Sequence, residues 1–450
     1  TKLHDRYSVE FKMGFVADEK MHTGDFTVGM WFFIPGSLDI TSNSFSKNEF
    51  YKCVKSNVRL ITPHFRLSEI VGGDALPLKN VIDSPEGEYD VRLKLFCSIV
   101  KSSLRDSLSE VESSFDEEKV TLVKKYVDSV KDILGAFFAL EDTTLKNYCG
   151  EYLCNISSSF LFKLLKHGCC LDEIKSLILE LDAIRASHGY PVVKTDTPVT
   201  NRDFVHRHGV LKKVVDSELF LRAPKKKDGV LVEQAYYSLA AGMAMIFATV
   251  VAWAFQRHFG NLTWPLFLAL IISYMMKDRI KELMRYYFAH RISNSYYDHK
   301  AKMSVHKKEI GWIKEAMDFI SSKNIPDDVN RHRNKTHLFD AEDEYNKESV
   351  LLYRKRVSLD MNTLKENMVY DFEGIHDIVR IQFRPFLRQM DNPIQKVRIL
   401  DEEGNPVSVK CDKDYFINII LQYQSGESTE FKRFRITLDS ERIKDIVEVL

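Results

Sequence analysis

Neither charge sign is in excess in this chain: 64 Lys and Arg balance 64 Asp and Glu over 450 residues. With no net field to recruit a polyanion, nucleic acid is not an expected partner. Cysteine is sparse and uneven. Cys53, Cys97, Cys149, Cys154, Cys169, Cys170 and Cys411 form an odd set in no disulfide framework, which fits a reducing cytoplasm. The Gly-rich phosphate loop ending in Lys-Ser/Thr, the dinucleotide fingerprint, His-Glu-x-x-His and Gly-x-Ser-x-Gly are all missing, so the common nucleotide and hydrolase chemistries have no motif here and no cofactor is expected. There is no internal repeat and no low-complexity tract. Thr1 to Val16 carries charges every few residues rather than an apolar block, so no N-terminal signal is expected.

What the chain does have is two long uncharged apolar runs, Ala235 to Phe255 and Phe259 to Met276, parted only by Gln256-Arg257-His258. The first has 21 residues and the second 18, against the roughly 20 needed to span a bilayer as a helix. Neither shows the polar stripe of a soluble amphipathic helix. The reading is a transmembrane helical hairpin over 235–276. Arg222, Lys225, Lys226 and Lys227 precede it, and Lys277, Arg279, Lys281, Arg285 and Arg291 follow, while the turn offers only Arg257. By the positive-inside bias both termini are cytoplasmic and the protein is a multi-pass protein of the plasma (inner) membrane. Trp253 and Trp264 would mark the far interface, and Tyr236, Tyr237 and Tyr274 the near one. Neither run contains Asp, Glu, Lys or Arg, the usual mark of an ion or proton path.

Periodicity divides the rest. Residues 1–95 read as a small α+β domain: Tyr7 to Phe15 and Phe26 to Ile34 alternate as half-buried strands, Ser46 and Glu49 form a capping box before a short helix, and Val58 to Thr62 and Val91 to Leu95 suggest further strands. Residues 96–190 read as a helical bundle. Val120, Val123, Val127, Val130, Leu134 and Phe137 form a seam behind a Ser114/Glu117 capping box; Leu145, Cys149, Tyr152, Ile156, Phe160 and Leu164 form another, and a further helix runs from Asp172 to Gly189. Residues 191–234 are a connector with a short helix near Phe204 to Leu219. Residues 277–345 should be an amphipathic helical stalk, with helix to about Ser322, followed by a polar linker. Over 346–450, seven alternating segments (351–359, 375–383, 397–400, 407–411, 415–423, 431–438, 446–449) suggest an antiparallel β-sandwich.

Candidate chemistry is thin. Cys149, Cys154, His167, Cys169 and Cys170 are soft zinc-type donors, but their spacing fits no knuckle and Cys149 is in phase with the bundle core. His332, His337, Asp340, Glu342 and Asp343 mix imidazole with carboxylates in a polar segment that a solvated loop explains equally well. His206 and His208, and His376 with Asp377, are possible titrating pairs, though such histidines are more often structural. The basic clusters Asn330 to Lys335 and Arg354-Lys355-Arg356 lack interleaved stacking aromatics, which favours a solvated face or anionic lipid over nucleic acid. Anionic headgroups are expected to meet Lys225, Lys226, Lys227, Lys277, Arg279, Lys281 and Arg285.

One packing signal lies in the hairpin. Ala240, Ala244, Ala248 and Ala252 recur every four residues, and Ala269 and Ser273 repeat that spacing in the second run, a stripe that lets helix backbones approach within the hairpin or between copies. Three classes of function are consistent with these features. The first is a membrane-anchored scaffold, sensor or assembly factor presenting two cytoplasmic modules at the inner face, one of which binds a protein partner. The second is a subunit of an oligomeric pore or transport complex, which the stripe favours and the absence of intramembrane charge opposes. The third is a membrane-tethered enzyme whose site is assembled only by folding.

Overall fold

Buried and exposed side chains alternate along β2 (Ser8–Val16), where Val9, Phe11, Met13 and Phe15 point inward. The computed structural model describes residues 1–16, 23–72, 77–168, 170–195, 198–260, 263–293, 297–305, 308–333, 348–426 and 428–449. β1 (Lys2–Asp5), β2, β9 (Gly374–Gln382) and β4 (Val54–Leu60) form an antiparallel sheet in the order β1-β2-β9-β4. The larger sheet is also antiparallel. It contains β14 (Ile443–Val449), β13 (Ser428–Leu438), β12 (Tyr415–Ser425), β3 (Thr23–Ile34), β8 (Ser349–Asp360), β7 (Lys308–Ile320), β6 (His299–Val305) and β5 (Lys225–Lys227), in that order. Their facing sides share one core, in which Phe11, Phe15, Val379 and Ile381 of the small sheet meet Met30, Phe32, Tyr353 and Ile419 of the large one.

A sandwich is therefore present, but it is built from both ends of the chain. β3 pairs with β8 from Thr23 opposite Asp360 to Ile34 opposite Ser349, and with β12 from Phe26 opposite Ser425 to Phe33 opposite Asn418. The expectation of an α+β unit over 1–95 beside a separate sandwich over 346–450 is corrected accordingly. Alternation reveals which face of a strand is buried and carries no information about its partner. All seven strands expected after residue 346 are found; β10 (Ile394–Leu400) and β11 (Pro406–Asp412) pair only with each other, as an exposed ribbon.

Two more expectations change. The stalk expected over 277–322 ends as helix at Ser293, and β6 and β7 follow it. A bulge hid β7 from a period-two reading: Met303 pairs with Gly311 but Ser304 with Glu309, so Ile310 is extra, and the phase is further masked by an inward Glu315. Val91, Leu93 and Leu95 belong to α3 (Tyr89–Ser113), which follows the short helix α2 (Pro77–Ile82), and not to a strand. That helix is a wall shared by two cores, with Leu95 and Ile99 facing the sandwich and Leu93, Phe96 and Val100 facing the helical unit, so its apolar residues mimic alternation.

The helical unit itself follows the expected seams. α4 (Asp116–Phe138) buries Val123, Val127, Val130, Leu134 and Phe137; α5 (Thr144–Leu164) buries Cys149, Tyr152 and Ile156; α6 (Leu171–Ser187) and α7 (Pro198–Val215) close it. α7 fills much of the expected connector and is tied to α5 by Arg207, which grips the buried Glu151 at 2.7 Å. The Ser46/Glu49 capping box opens α1 (Lys47–Cys53) as read from the sequence. Ser114 instead donates to the Val111 carbonyl, and the Glu117 side chain lies outside the described residues.

Between β5 and β6 the chain departs into α8 (Val230–Phe259) and α9 (Trp264–Ser293), which pack on each other. α8 is the one helix among the described residues that is long and apolar enough to cross a membrane, and only 11% of its most apolar stretch is buried. The expected second span falls short. α8 extends to Phe259 and α9 begins at Trp264, so α9 has 13 residues of that run, Trp264 to Met276, before Lys277-Asp278-Arg279, about 20 Å at ~1.5 Å per residue.

The Gly311 bulge yields a direct test. Its φ is +152°, and an added Cβ would collide with the Ser358 carbonyl of the neighbouring strand. Gly311→Ala should cost roughly 1–3 kcal/mol by strain and overpacking, measured by chemical denaturation; a variant as stable as the parent would show that the bulge does not pin β7 to β8.

Candidate functional site

Charged side chains occupy core positions on three of the inward faces. β8 points Tyr353, Val357 and Leu359 inward together with Lys355; β7 does so with Glu315, and β9 with Asp377. Lys355, Glu315 and Asp377 are 0, 2 and 0% exposed, so water does not screen them. Lys355 Nζ forms an ion pair with Asp377 across the gap between the sheets, lies 3.2 Å from Glu315 Oε1, and donates to Ser56 Oγ at 2.8 Å. Ser56, on β4, donates in turn to Asp377 Oδ1 at 2.8 Å. The other Glu315 oxygen accepts Lys225 Nζ of β5 at 2.6 Å.

A second layer holds the feet of the helix pair. Asp298, just before β6, accepts from Lys47 Nζ at 2.8 Å, from the Tyr51 hydroxyl at 2.9 Å and from the Met317 amide at 2.8 Å. Lys47 also reaches Asp318, which Arg354 grips at 2.7 Å. Asp228, just before α8, pairs with Lys314 at 3.1 Å, and its amide donates to the Asp298 carbonyl at 3.2 Å. A cavity of about 350 Å³ opens over this region, lined by Tyr51, Val54, Lys55, Ser56, Asn57, Lys225 and His299.

The electrostatics favour a structural cluster over a catalytic one. Burial pulls the Lys355 ammonium down, but Asp377 and Glu315 outweigh it and hold the group above its ordinary value. Burial pushes Glu315 up, yet Lys355 and Lys225 keep it below its ordinary range. Burial and the nearby carboxylates raise Tyr353 well above its ordinary value. These three groups are thus held away from neutrality, whereas a general acid or base works best near the operating pH.

The residues singled out from sequence fall as follows. Ala240, Ala244, Ala269 and Ser273 are buried between α8 and α9, and Ser273 Oγ donates to the Ala248 carbonyl at 3.3 Å. Arg285 sits 4.5 Å from the Tyr237 ring, so the helices run antiparallel in one register, which also places Ala252 on a level with Ala269. The small-residue stripe is used within the chain. Of the basic set, Lys225 is committed to Glu315, Lys227 pairs with Glu233 at 2.9 Å, Lys277 lies 4.0 Å from the Tyr274 ring, and Arg285 is 3.5 Å from Glu282; Lys226 is exposed on β5, and Arg279 and Lys281 lie on α9. The Arg291 side chain lies outside the described residues.

Arg354-Lys355-Arg356 does not form one phosphate-facing patch, because strand alternation sends Lys355 inward while Arg356 reaches Asp25 on the outside. Arg333 is buried against Glu348 and the Phe33 ring, and His332 stacks on Phe431 at 4.6 Å. Asn334, Lys335, His337, Asp340, Glu342, Asp343 and Cys169 lie outside the described residues. Cys149 and Cys154 are buried in the helical core, and no metal-type cluster occurs among the described residues. His208 stacks between Phe204 and Tyr152. Glu315 and Asp298 escaped the sequence reading and Lys225 was read as a headgroup contact, since a lone charge in an alternating strand such as Glu315 looks like any outward one. Comparison with protein-family models, curated proteins and solved structures finds no match.

Removing one partner of the buried cluster strands the others. Lys355→Met should cost about 3–5 kcal/mol. The depressed Glu315 carboxyl gives stability that is full above its ordinary 4.5 and is lost as pH falls through the lower folded value. Lys355, raised when folded, gives stability that is full below 10.5 and is lost as pH rises through the higher folded value. The gap between parent and variant in urea melts should therefore be widest between these limits and narrow in acid; a gap independent of pH would contradict the assigned charges.

Proposed function

We propose that this chain is a membrane-anchored scaffold, sensor or assembly factor, with α8 and α9 inserted as a hairpin from the inner face of the membrane and the sandwich and helical unit held in the cytoplasm. The observation that carries this reading is the apolar surface of α8. Leu239, Met245, Ile246, Val250 and Trp253 are 53, 59, 64, 57 and 60% exposed, an arrangement that water penalises at roughly 25 cal/mol per Å² and lipid does not.

The way the pair is mounted supports insertion as a hairpin. β5 and β6 are antiparallel neighbours with Lys227 opposite His299, so the chain leaves and rejoins the sandwich at adjacent points. A single crossing would put those points on opposite sides of the bilayer. An even number of crossings keeps them together, and Arg257-His258 at the tip argues for a tip that reaches water on the far side. The short apolar part of α9 means that the bilayer thins around the pair, while Lys277, Arg279, Lys281 and Arg285 reach outward to anionic headgroups, joined on the other leg by Lys226 and Lys227. Such a protein lies in the plasma (inner) membrane with both termini cytoplasmic.

We assign the protein-binding element to the β10–β11 ribbon, where Val397, Ile399, Leu400 and Val407 are 41, 51, 68 and 41% exposed. The pore reading loses its main support because the small-residue stripe is filled by α9.

Two experiments test this reading. The protein should stay in the pellet after alkaline carbonate extraction, and topology reporters placed near Arg222 and after Leu450 should both read cytoplasmic; release of the protein, or reporters on opposite sides, would refute the hairpin. Replacing Ala244 and Ala248 by Leu should push α8 and α9 apart and reduce insertion or stability at unchanged stoichiometry. If those variants instead turned an oligomer into a monomer in mild detergent, the stripe would join copies and the pore reading would return.

A further inference from the structure

The outer face of the small sheet carries positive charge that the neighbouring carboxylates only partly compensate. Lys12 and Gly14 of β2, His376 and Arg380 of β9, and Lys55 and Arg59 of β4 alternate with core residues and so share this outer face. Gly14 is directly opposite His376, which is directly opposite Arg59, and Lys12 lies one outward position along β2 from Gly14. Arg105 comes from α3, close enough to both Lys12 and His376 for their charges to interact. Four separate elements thus bring two guanidinium groups, an ammonium and an imidazole to one place.

The nearby carboxylates are already engaged. Glu10 takes Arg380 at 3.0 Å and Lys2 at 3.2 Å. Asp106 holds Arg105 at 2.8 Å, and Asp216 holds Lys101 at 3.2 Å. Lys12 and Arg59 have no carboxylate within ion-pair distance among the described residues. Arg59 donates to Thr62 Oγ1 at 3.2 Å, its guanidinium carbon lies 6.0 Å from the Phe220 ring, and its Nε is buried with no hydrogen-bond partner. Burial, with Arg105, Arg59 and Lys2 adding repulsion, holds Lys12 below its ordinary value, and Asp106 only partly opposes them. Burial together with Lys12, Arg59 and Arg105 pushes His376 down to about 4, against a smaller upward pull from its hydrogen bond to the Met13 backbone, so at neutral pH the ring is uncharged. A Cβ at Gly14 would sit 3.4 Å from Nδ1 of that ring, so the two positions are in direct contact across the strands.

Like charges gathered at such a cost are relieved by a multiply charged anion. We propose that Lys12, Arg59 and Arg105, grouped around the uncharged His376 ring, form a binding site for a phosphate-type dianion. Guanidinium forks match the tetrahedral oxygens of phosphate, and the site's formal charge exceeds what a single carboxylate would balance. The phosphate could belong to a soluble phosphorylated molecule or to a lipid headgroup, and one experiment separates the two.

Full-length protein held in phosphatidylcholine nanodiscs would be titrated calorimetrically with pyrophosphate and, separately, with short-chain phosphatidic acid. Saturable binding of pyrophosphate assigns a soluble ligand, and binding of phosphatidic acid alone assigns a headgroup; in either case Lys12→Gln and Arg59→Lys should weaken binding at least about tenfold. Unchanged near-ultraviolet circular dichroism keeps the variants interpretable, and Arg59→Lys retains the charge should Arg59→Ala fail to fold. In the parent, the bound anion should also raise the His376 pKa, read from its ring protons by NMR, by offsetting the field of Lys12, Arg59 and Arg105. Binding of neither probe, or parental affinity in both variants, would overturn the proposal.

Discussion

A lysine ammonium enclosed between two β-sheets is the constraint from which the rest of this architecture follows. Removing Lys355 from water costs several kcal/mol unless carboxylates replace the lost hydration. One carboxylate, Asp377, belongs to the opposing sheet, so the ion pair fixes how the two sheets face each other. The other, Glu315, is directly across on β7, and its second oxygen takes Lys225. Lys225 is on β5, the strand from which α8 departs. The foot of the apolar helix and the centre of the sandwich are thereby one electrostatic unit.

This continuity gives the helix pair a rigid seat. β5 is only three residues long and would be a weak edge by backbone pairing alone. Glu315 below it, Lys314 on Asp228, and Lys47 with Tyr51 on Asp298 hold both legs to β7 and α1. From the foot of α8 the inter-sheet pair is reached through Lys225 on Glu315 at 2.6 Å and Glu315 on Lys355 at 3.2 Å. Such an arrangement suits the scaffold proposed above.

Sequence periodicity made much of this legible and hid the rest for identifiable reasons. The seams around Val127 and Cys149, the Ser46/Glu49 capping box and the seven late strands could be read because each is a local pattern. Pairing was not local: β3 looked like part of a small N-terminal unit, yet it lies inside a sheet whose other strands, apart from the three-residue β5, come from beyond residue 298. β6 and β7 were mistaken for helix because the bulge at Gly311 and the inward Glu315 broke their alternation. The second apolar run was overestimated because Phe259 belongs to α8 and α9 begins only at Trp264. The basic run Arg354-Lys355-Arg356 illustrates the site problem most directly, since one residue of three is the core lysine and nothing in its neighbours marks it.

The central claim is that α8 and α9 enter lipid while the sandwich remains in water, and depth-dependent tryptophan quenching addresses it most directly. Two of the four tryptophans, Trp253 and Trp264, flank the tip of the helix pair, and the others, Trp31 and Trp312, lie in the large sheet. In vesicles of lipid brominated along the acyl chain, the account predicts strong quenching that disappears when Trp253 and Trp264 are replaced by Phe. Emission that is insensitive to the brominated lipid, or quenching that survives both replacements, would contradict it.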